Sequence, residues 1–250
     1  MSLNKIIYKK PFKIIVSFLI IWIILFQFIF SGNNILPRPI ILLESFNDII
    51  SDYQLIPNLL YSIGAITFGI IASIFSVYFL RYYLLTQNLF SDLLQAISKP
   101  GSFVPIFIFS IFLIFWLPQS IYIEYLFLAF ISLGYISLQL IDINKTLSNA
   151  YFNSAKSLSI NKNKIVTEIN FKQILPSMEK IILVLNIKTW GILLVFEFIQ
   201  NTNGLGSVLH SSLILKDLYS LFLTTIVICV LIIIFQYIIQ IVFNRFVHWE

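Results

Sequence analysis

Six long apolar runs dominate the sequence, at roughly residues 14–30, 58–80, 89–117, 121–141, 178–199 and 218–243. A helix needs about 20 apolar residues to cross some 30 Å of hydrocarbon, and each run is of that order. Lipid offers the backbone no hydrogen-bond partner, so each run is expected to be helical. A membrane barrel would need short alternating segments, and these runs are continuous. A length of 250 residues would also suit one or two soluble domains. That alternative fails on composition: 59% of residues are hydrophobic and 11% charged, against about 45–50% and 25% in soluble domains. Too few charges remain to cover a soluble surface. The expected fold is one all-α integral membrane domain, residues 1–250, with six transmembrane helices.

Positive charge sets the orientation. Of the 16 Lys and Arg residues, a cytoplasmic N-terminus puts twelve inside: Lys5, Lys9, Lys10, Lys13, Arg81, Lys145, Lys156, Lys162, Lys164, Lys172, Lys180 and Arg245. Arg38 and Lys216 fall outside, and Lys99 and Lys188 lie within spans 3 and 5. Both termini are therefore expected in the cytoplasm of a multi-pass plasma or inner-membrane protein. The lysines before Ile14 resemble the start of a signal peptide, but no small-x-small site follows, so the segment reads as a retained span. The net charge of +5 serves orientation, and nucleic acid is not an expected partner.

Within the third run, Pro100, Gly101 and Pro105 predict a broken or kinked helix. The outer loop, 31–57, repeats apolar residues at helical spacing (Ile41, Leu42, Ser45, Phe46, Ile49, Ile50) with Glu44, Asp48 and Asp52 opposite. This predicts an amphipathic helix lying on the outer membrane surface. The inner loop, about 142–177, is the longest polar stretch and is expected to hold two short helices. Asn161-Lys162-Asn163 is its turn, and Pro176 starts the fifth span.

Catalytic signatures are missing. The eight glycines form no G-x-x-x-x-G-K-[ST], and neither G-x-S-x-G nor H-E-x-x-H occurs. The single cysteine, Cys229, and two distant histidines, His210 and His248, offer no metal site. No cofactor and no catalytic residue are expected.

The segment Asn153-Ser154-Ala155-Lys156-Ser157-Leu158-Ser159 resembles the E-A-A-x-x-x-G loop signature of ABC importer permeases. Ala155 matches outright, while Asn153, Ser154 and Ser159 replace the family's Glu, Ala and Gly. Downstream, Leu175-Pro176 fits the second half of the L-P-x-x-L-P pair of the nitrate/sulfonate/taurine/bicarbonate branch, with Phe171-Lys172 in place of the first. Trp190 fits the tryptophan of the next span. Glu197, followed by Gly204-Leu205-Gly206, fits the glutamate and G-x-G that come after. Leu36-Pro37-Arg38-Pro39, Lys216-Asp217 and the basic-aromatic end Arg245–Trp249 extend the likeness to about 36–249.

The resemblance implies a type I ABC importer permease fold. Two permease copies form the pathway, as a homodimer in the lipid bilayer. Separate ABC ATPase subunits grip the loop of residues 153–159, and an extracytoplasmic substrate-binding protein docks outside. The solute is small and polar or anionic, such as a sulfonate, nitrate, taurine or a pyrimidine precursor. ATP hydrolysis then belongs to the partner, which fits the missing phosphate loop. Leu158 is the expected apolar knob into the ATPase, and Ala155 keeps that helix flat. Trp190, Glu197, Gly204 and Gly206 are pathway or gate candidates. Each also has a structural reading: core packing for Trp190, a hydrogen-bonded carboxyl for Glu197, a tight turn for the glycines. Lys188 either snorkels inward or faces the pathway and attracts an anion. His210 reads as solvated on an outer loop. The alternatives are an ion-gradient-driven secondary carrier and a membrane scaffold subunit.

Overall fold

The computed structural model describes residues 17, 20–29, 37–86, 89–101, 105–117, 121–146 and 157–247. Among these, every regular element is helical. A π-helical stretch, Ile24–Ile29, lies in the first apolar run. It is followed by α1 (Pro39–Glu44), α2 (Phe46–Ser51), α3 (Leu55–Leu85), α4 (Leu89–Gly101), α5 (Ile106–Trp116) and α6 (Ile121–Thr146). A short helical turn, Lys162–Lys164, and a π-helical stretch, Ile165–Asn170, lead into α7 (Phe171–Gln200), then α8 (Leu205–Ile214) and α9 (Leu218–Phe246). Four segments are long and apolar enough to cross a membrane: Leu55–Leu85, Tyr122–Thr146, Ile165–Gln200 and Leu218–Phe246. The chain is a multi-pass helical membrane protein.

The third apolar run is two helices. Pro100 and Gly101 close α4, and Pro105 stands immediately before α5. At 13 and 11 residues, each is shorter than the ~20 a single crossing takes.

The most extensive interface joins α3 to α6, and α7 packs against both as well as against α8 and α9. Ile66 and Val77 of α3, Leu128 and Ile136 of α6, and Ile182 and Leu185 of α7 are buried there. Burial from lipid gives little hydrophobic driving force, so helices associate through close contact, which small residues permit. Gly69 illustrates this, because a Cβ there would stand 3.0 Å from the Leu128 Cβ. Helix α9 contributes less to the core, with only 6% of its most apolar stretch buried.

Two local expectations change. The outer amphipathic segment is two short helices and not one. It divides at Ser45, whose Oγ donates to the Leu42 carbonyl at 3.2 Å, and buries Leu42 and Ile49 against α3 and α9. Phe46 of the same stripe stays exposed, so the bundle covers only part of it. Pro176 does not start its helix but lies inside α7, where it removes one backbone donor from the ladder. Asn161 caps the helical turn that follows it: its Oδ1 accepts from the Asn163 N–H at 3.0 Å.

Candidate functional site

The carboxyl of Glu197, fully buried in the last turn of α7, organises one end of the bundle. Helix α7 ends at Asn201, whose N–H donates to the Glu197 carbonyl at 2.8 Å and whose φ is +50°. The chain then turns through Gly204, at φ +91°, a conformation that glycine alone adopts readily. Helix α8 starts at once, and its first N–H groups lack intrahelical acceptors. Buried side chains supply them. Glu197 Oε2 accepts from Gly206 N–H at 2.8 Å, and Ser62 Oγ accepts from Leu205 N–H at 2.9 Å. Asn58 Oδ1 accepts from Gly204 N–H at 2.8 Å. Ser62 Oγ in turn donates to Glu197 Oε1 at 2.5 Å.

Shape reinforces this hydrogen bonding. A Cβ on Gly206 would stand 2.5 Å from the Leu194 carbonyl oxygen, and one on Gly204 would run into the Glu197 carboxyl. Both glycines are therefore required by close approach. Glu197, Gly204 and Gly206 form one latch that ties α7, α8 and α3 together.

A second carboxyl joins the latch. Glu124, in the first turn of α6, is 1% exposed and within hydrogen-bonding reach of Glu197 and the Tyr61 hydroxyl. Two carboxyls this close, both away from water, repel when both are ionised. Glu124 Oε1 has no hydrogen-bond partner among the described residues.

Sequence reasoning found Glu197 and both glycines. It missed Asn58 and Ser62. Their signal was two polar side chains at i and i+4 in an apolar run, a spacing that puts them on one helix face.

Beside the latch lies a polar cavity of about 620 Å³, bordered by Asp48, Asp52, Tyr53, Asn58, Ser207 and Asp217. Asp217 caps α9: its carboxyl accepts from Ser220 N–H at 3.1 Å, Ser220 Oγ at 2.6 Å and Tyr53 Oη at 3.0 Å. Burial pushes this carboxyl up, but the Ser220 and Tyr53 hydrogen bonds outweigh it and hold Asp217 below its usual range. Burial and the neighbouring Asp217 raise the Tyr53 phenol. A carboxyl depressed in the folded state adds stability above its unfolded pKa and loses it as pH falls through the folded value. Asp217→Asn should therefore lower thermal stability in detergent at pH 7 by about 1 kcal/mol. That gap should close as pH falls below about 4, the ordinary range of an aspartate. A constant gap across the titration would contradict this account of the cap.

The remaining site residues lie elsewhere. Trp190 is fully buried and meets Phe235 of α9 edge-on, with centroids 5.8 Å apart, so it packs in the core. His210 belongs to α8 and is half-buried against Phe198, centroids 5.0 Å apart. It is neither on a loop nor fully solvated, because α8 begins as soon as the glycine turn ends. Of the expected ATPase-coupling segment, Asn153, Ser154, Ala155 and Lys156 lie outside the described residues, as do His248 and Trp249. Ser157, Leu158 and Ser159 are described: Leu158 is 74% exposed and Ser159 holds φ +57°. Just beyond them, Ile165 and Val166 are buried, and their π-helical stretch packs on α3. This segment and the latch therefore sit at opposite ends of the helical segment Ile165–Gln200, 36 residues or about 54 Å apart.

Comparisons with family models, curated proteins and solved structures match nothing to this chain.

Proposed function

We propose that the chain is the membrane permease subunit of an ATP-driven ABC importer. In this reading it lines the translocation pathway for a small polar or anionic solute and carries no catalytic residue of its own. It works as a homodimer in a plasma or inner membrane, with both termini cytoplasmic and six crossings, α4 and α5 together forming the third. ABC ATPase subunits bind the loop of residues 142–177, and an extracytoplasmic binding protein delivers the solute.

The observation that carries the reading is the latch. The spacing of Glu197, Gly204 and Gly206 belongs to the sequence resemblance, and in this fold the three residues work as one unit. Ser159 adds support. It stands where the family pattern has glycine, and its backbone is left-handed, the conformation that selects glycine. Leu158, exposed beside it, offers an apolar knob to a partner. Nucleotide-driven movement of that knob would be carried along the continuous segment Ile165–Gln200 to the latch at its far end, as a lever between two access states.

A specific observation favours one alternative: the buried Glu124–Glu197 pair is the kind of group that ion-gradient carriers place inside their spans. Gentle solubilisation of the tagged full-length chain from its native membrane separates the two readings. Co-purification of a nucleotide-binding subunit is the expected result. Its absence, together with solute uptake driven by a proton gradient in vesicles holding this chain alone, would establish the carrier instead.

A further inference from the structure

Lys188 lies within α7 with its side chain exposed. Its Nζ rests 4.3 Å from the centroid of the Tyr135 ring. Tyr135 is at the middle of α6, fourteen residues after Ile121 and eleven before Thr146, so the backbone that carries this ring stands about 16 Å or more from either end of that helix. A snorkelling lysine runs its stem along the helix toward a membrane surface, whereas this one reaches sideways to a ring at mid-depth.

A cation at that depth is costly against lipid. The Tyr135 ring face offsets part of the charge but accepts no ordinary hydrogen bond from the ammonium's three N–H donors. Among the described residues, no carboxylate forms an ion pair with Lys188. The space beside it is also open. Gly191, one turn on and exposed, and Gly134, next to Tyr135, have no atom within 4 Å of where a Cβ would stand.

We propose that Lys188, backed by Tyr135, is an anion-binding station on the face that α6 and α7 turn toward the transport pathway. Its ligand is a small solute bearing a sulfonate, carboxylate or inorganic oxyanion group, held by the ammonium beside the open space at Gly191. The station rests on the pathway reading above and assigns that pathway's charge preference. A headgroup of the surrounding lipid does not reach this depth, which leaves a transported solute as the source of the anion.

A thiol introduced at position 191 reports on the site, since the space there accepts a side chain. The full-length Gly191→Cys, Cys229→Ser chain is expressed with its partners in native membranes. The introduced thiol is reacted with anionic sulfonatoethyl or cationic trimethylammonioethyl methanethiosulfonate, each rate divided by that for a free thiol in solution. Labelling after denaturation measures the thiol present. The anionic reagent should lead by about tenfold, the size of one nearby charge in a partly solvated cleft. Lys188→Gln should bring the ratio to near unity, and Lys188→Arg should keep it. Reaction with neither reagent before denaturation would put this face in lipid and overturn the station, as would a preference that survives Lys188→Gln. Loss of the preference in a chain that still brings down its ATPase refutes the station alone. An intact preference without an ATPase refutes the importer reading alone.

Discussion

Gly206→Ala should destabilise this protein strongly. The new Cβ would stand 2.5 Å from the Leu194 carbonyl oxygen, 2.6 Å from the Glu197 Cβ and 2.7 Å from the Phe198 nitrogen. Two of these atoms are helix backbone, so no side-chain rotation relieves the clash, and α8 must move away from α7. Moving it breaks the Gly206 N–H bond to Glu197 and strains the Leu205 and Gly204 bonds to Ser62 and Asn58. Overpacking of a tight site costs about 1–3 kcal/mol, and a buried carboxyl that loses a donor adds about 1–3 kcal/mol. The expected loss is about 3 kcal/mol or more, the two costs taken together, read as a lowered unfolding midpoint in mild detergent. Gly191→Ala is the matched control. It lies in the same helix as Glu197 with no atom near its would-be Cβ, and alanine is the better helix former. Its midpoint should hold or rise slightly. Equal behaviour of the two variants would contradict the latch.

Much of this architecture was legible in the sequence because lipid simplifies the code. A continuous apolar run in a bilayer has one outcome, and the helices at Leu55–Leu85, Tyr122–Thr146 and Leu218–Phe246 coincide with three of the runs. The break in the third run was legible because Pro100, Gly101 and Pro105 act locally. Tertiary choices were not. Nothing in residues 40–53 says that the bundle covers Leu42 and Ile49 of α1 and α2 and leaves Phe46 exposed. Pro176 looked like a helix start because proline suits a first turn, yet the buried Ile165 and Val166 carry the helical path upstream of it. The Glu124–Glu197 pair is out of reach of pattern reading, since the two residues lie far apart in the chain and only the packing of α6 on α7 joins them. Hydropathy also hid Asn58 and Ser62, two polar residues too few to lower the average of their run.

The importer reading predicts its other large effect at Leu158. An exposed leucine among Ser157, Ser159 and a nearby basic stretch gains nothing in water, whereas in a groove on a partner it would bury close to its full side chain. Leu158→Asp would instead bury a charge there, a loss large enough to abolish association. Insertion and folding should be unchanged, since Leu158 is 74% exposed in the free chain. A structural role within this chain would show the reverse pattern: lower stability with association intact.

Position 158 also provides the most direct test of the central claim, that a separate motor drives this membrane chain through the segment between its fourth and fifth crossings. A single cysteine is introduced there (Leu158→Cys, Cys229→Ser) and probed in sealed membranes of both orientations with an impermeant thiol reagent, then with a short thiol cross-linker. The account predicts labelling only where the cytoplasmic face is accessible, and a cross-linked product containing a nucleotide-binding subunit whose yield changes when ATP is added. Labelling from the exterior, or a cytoplasmic cysteine that cross-links to no nucleotide-binding subunit, would contradict it.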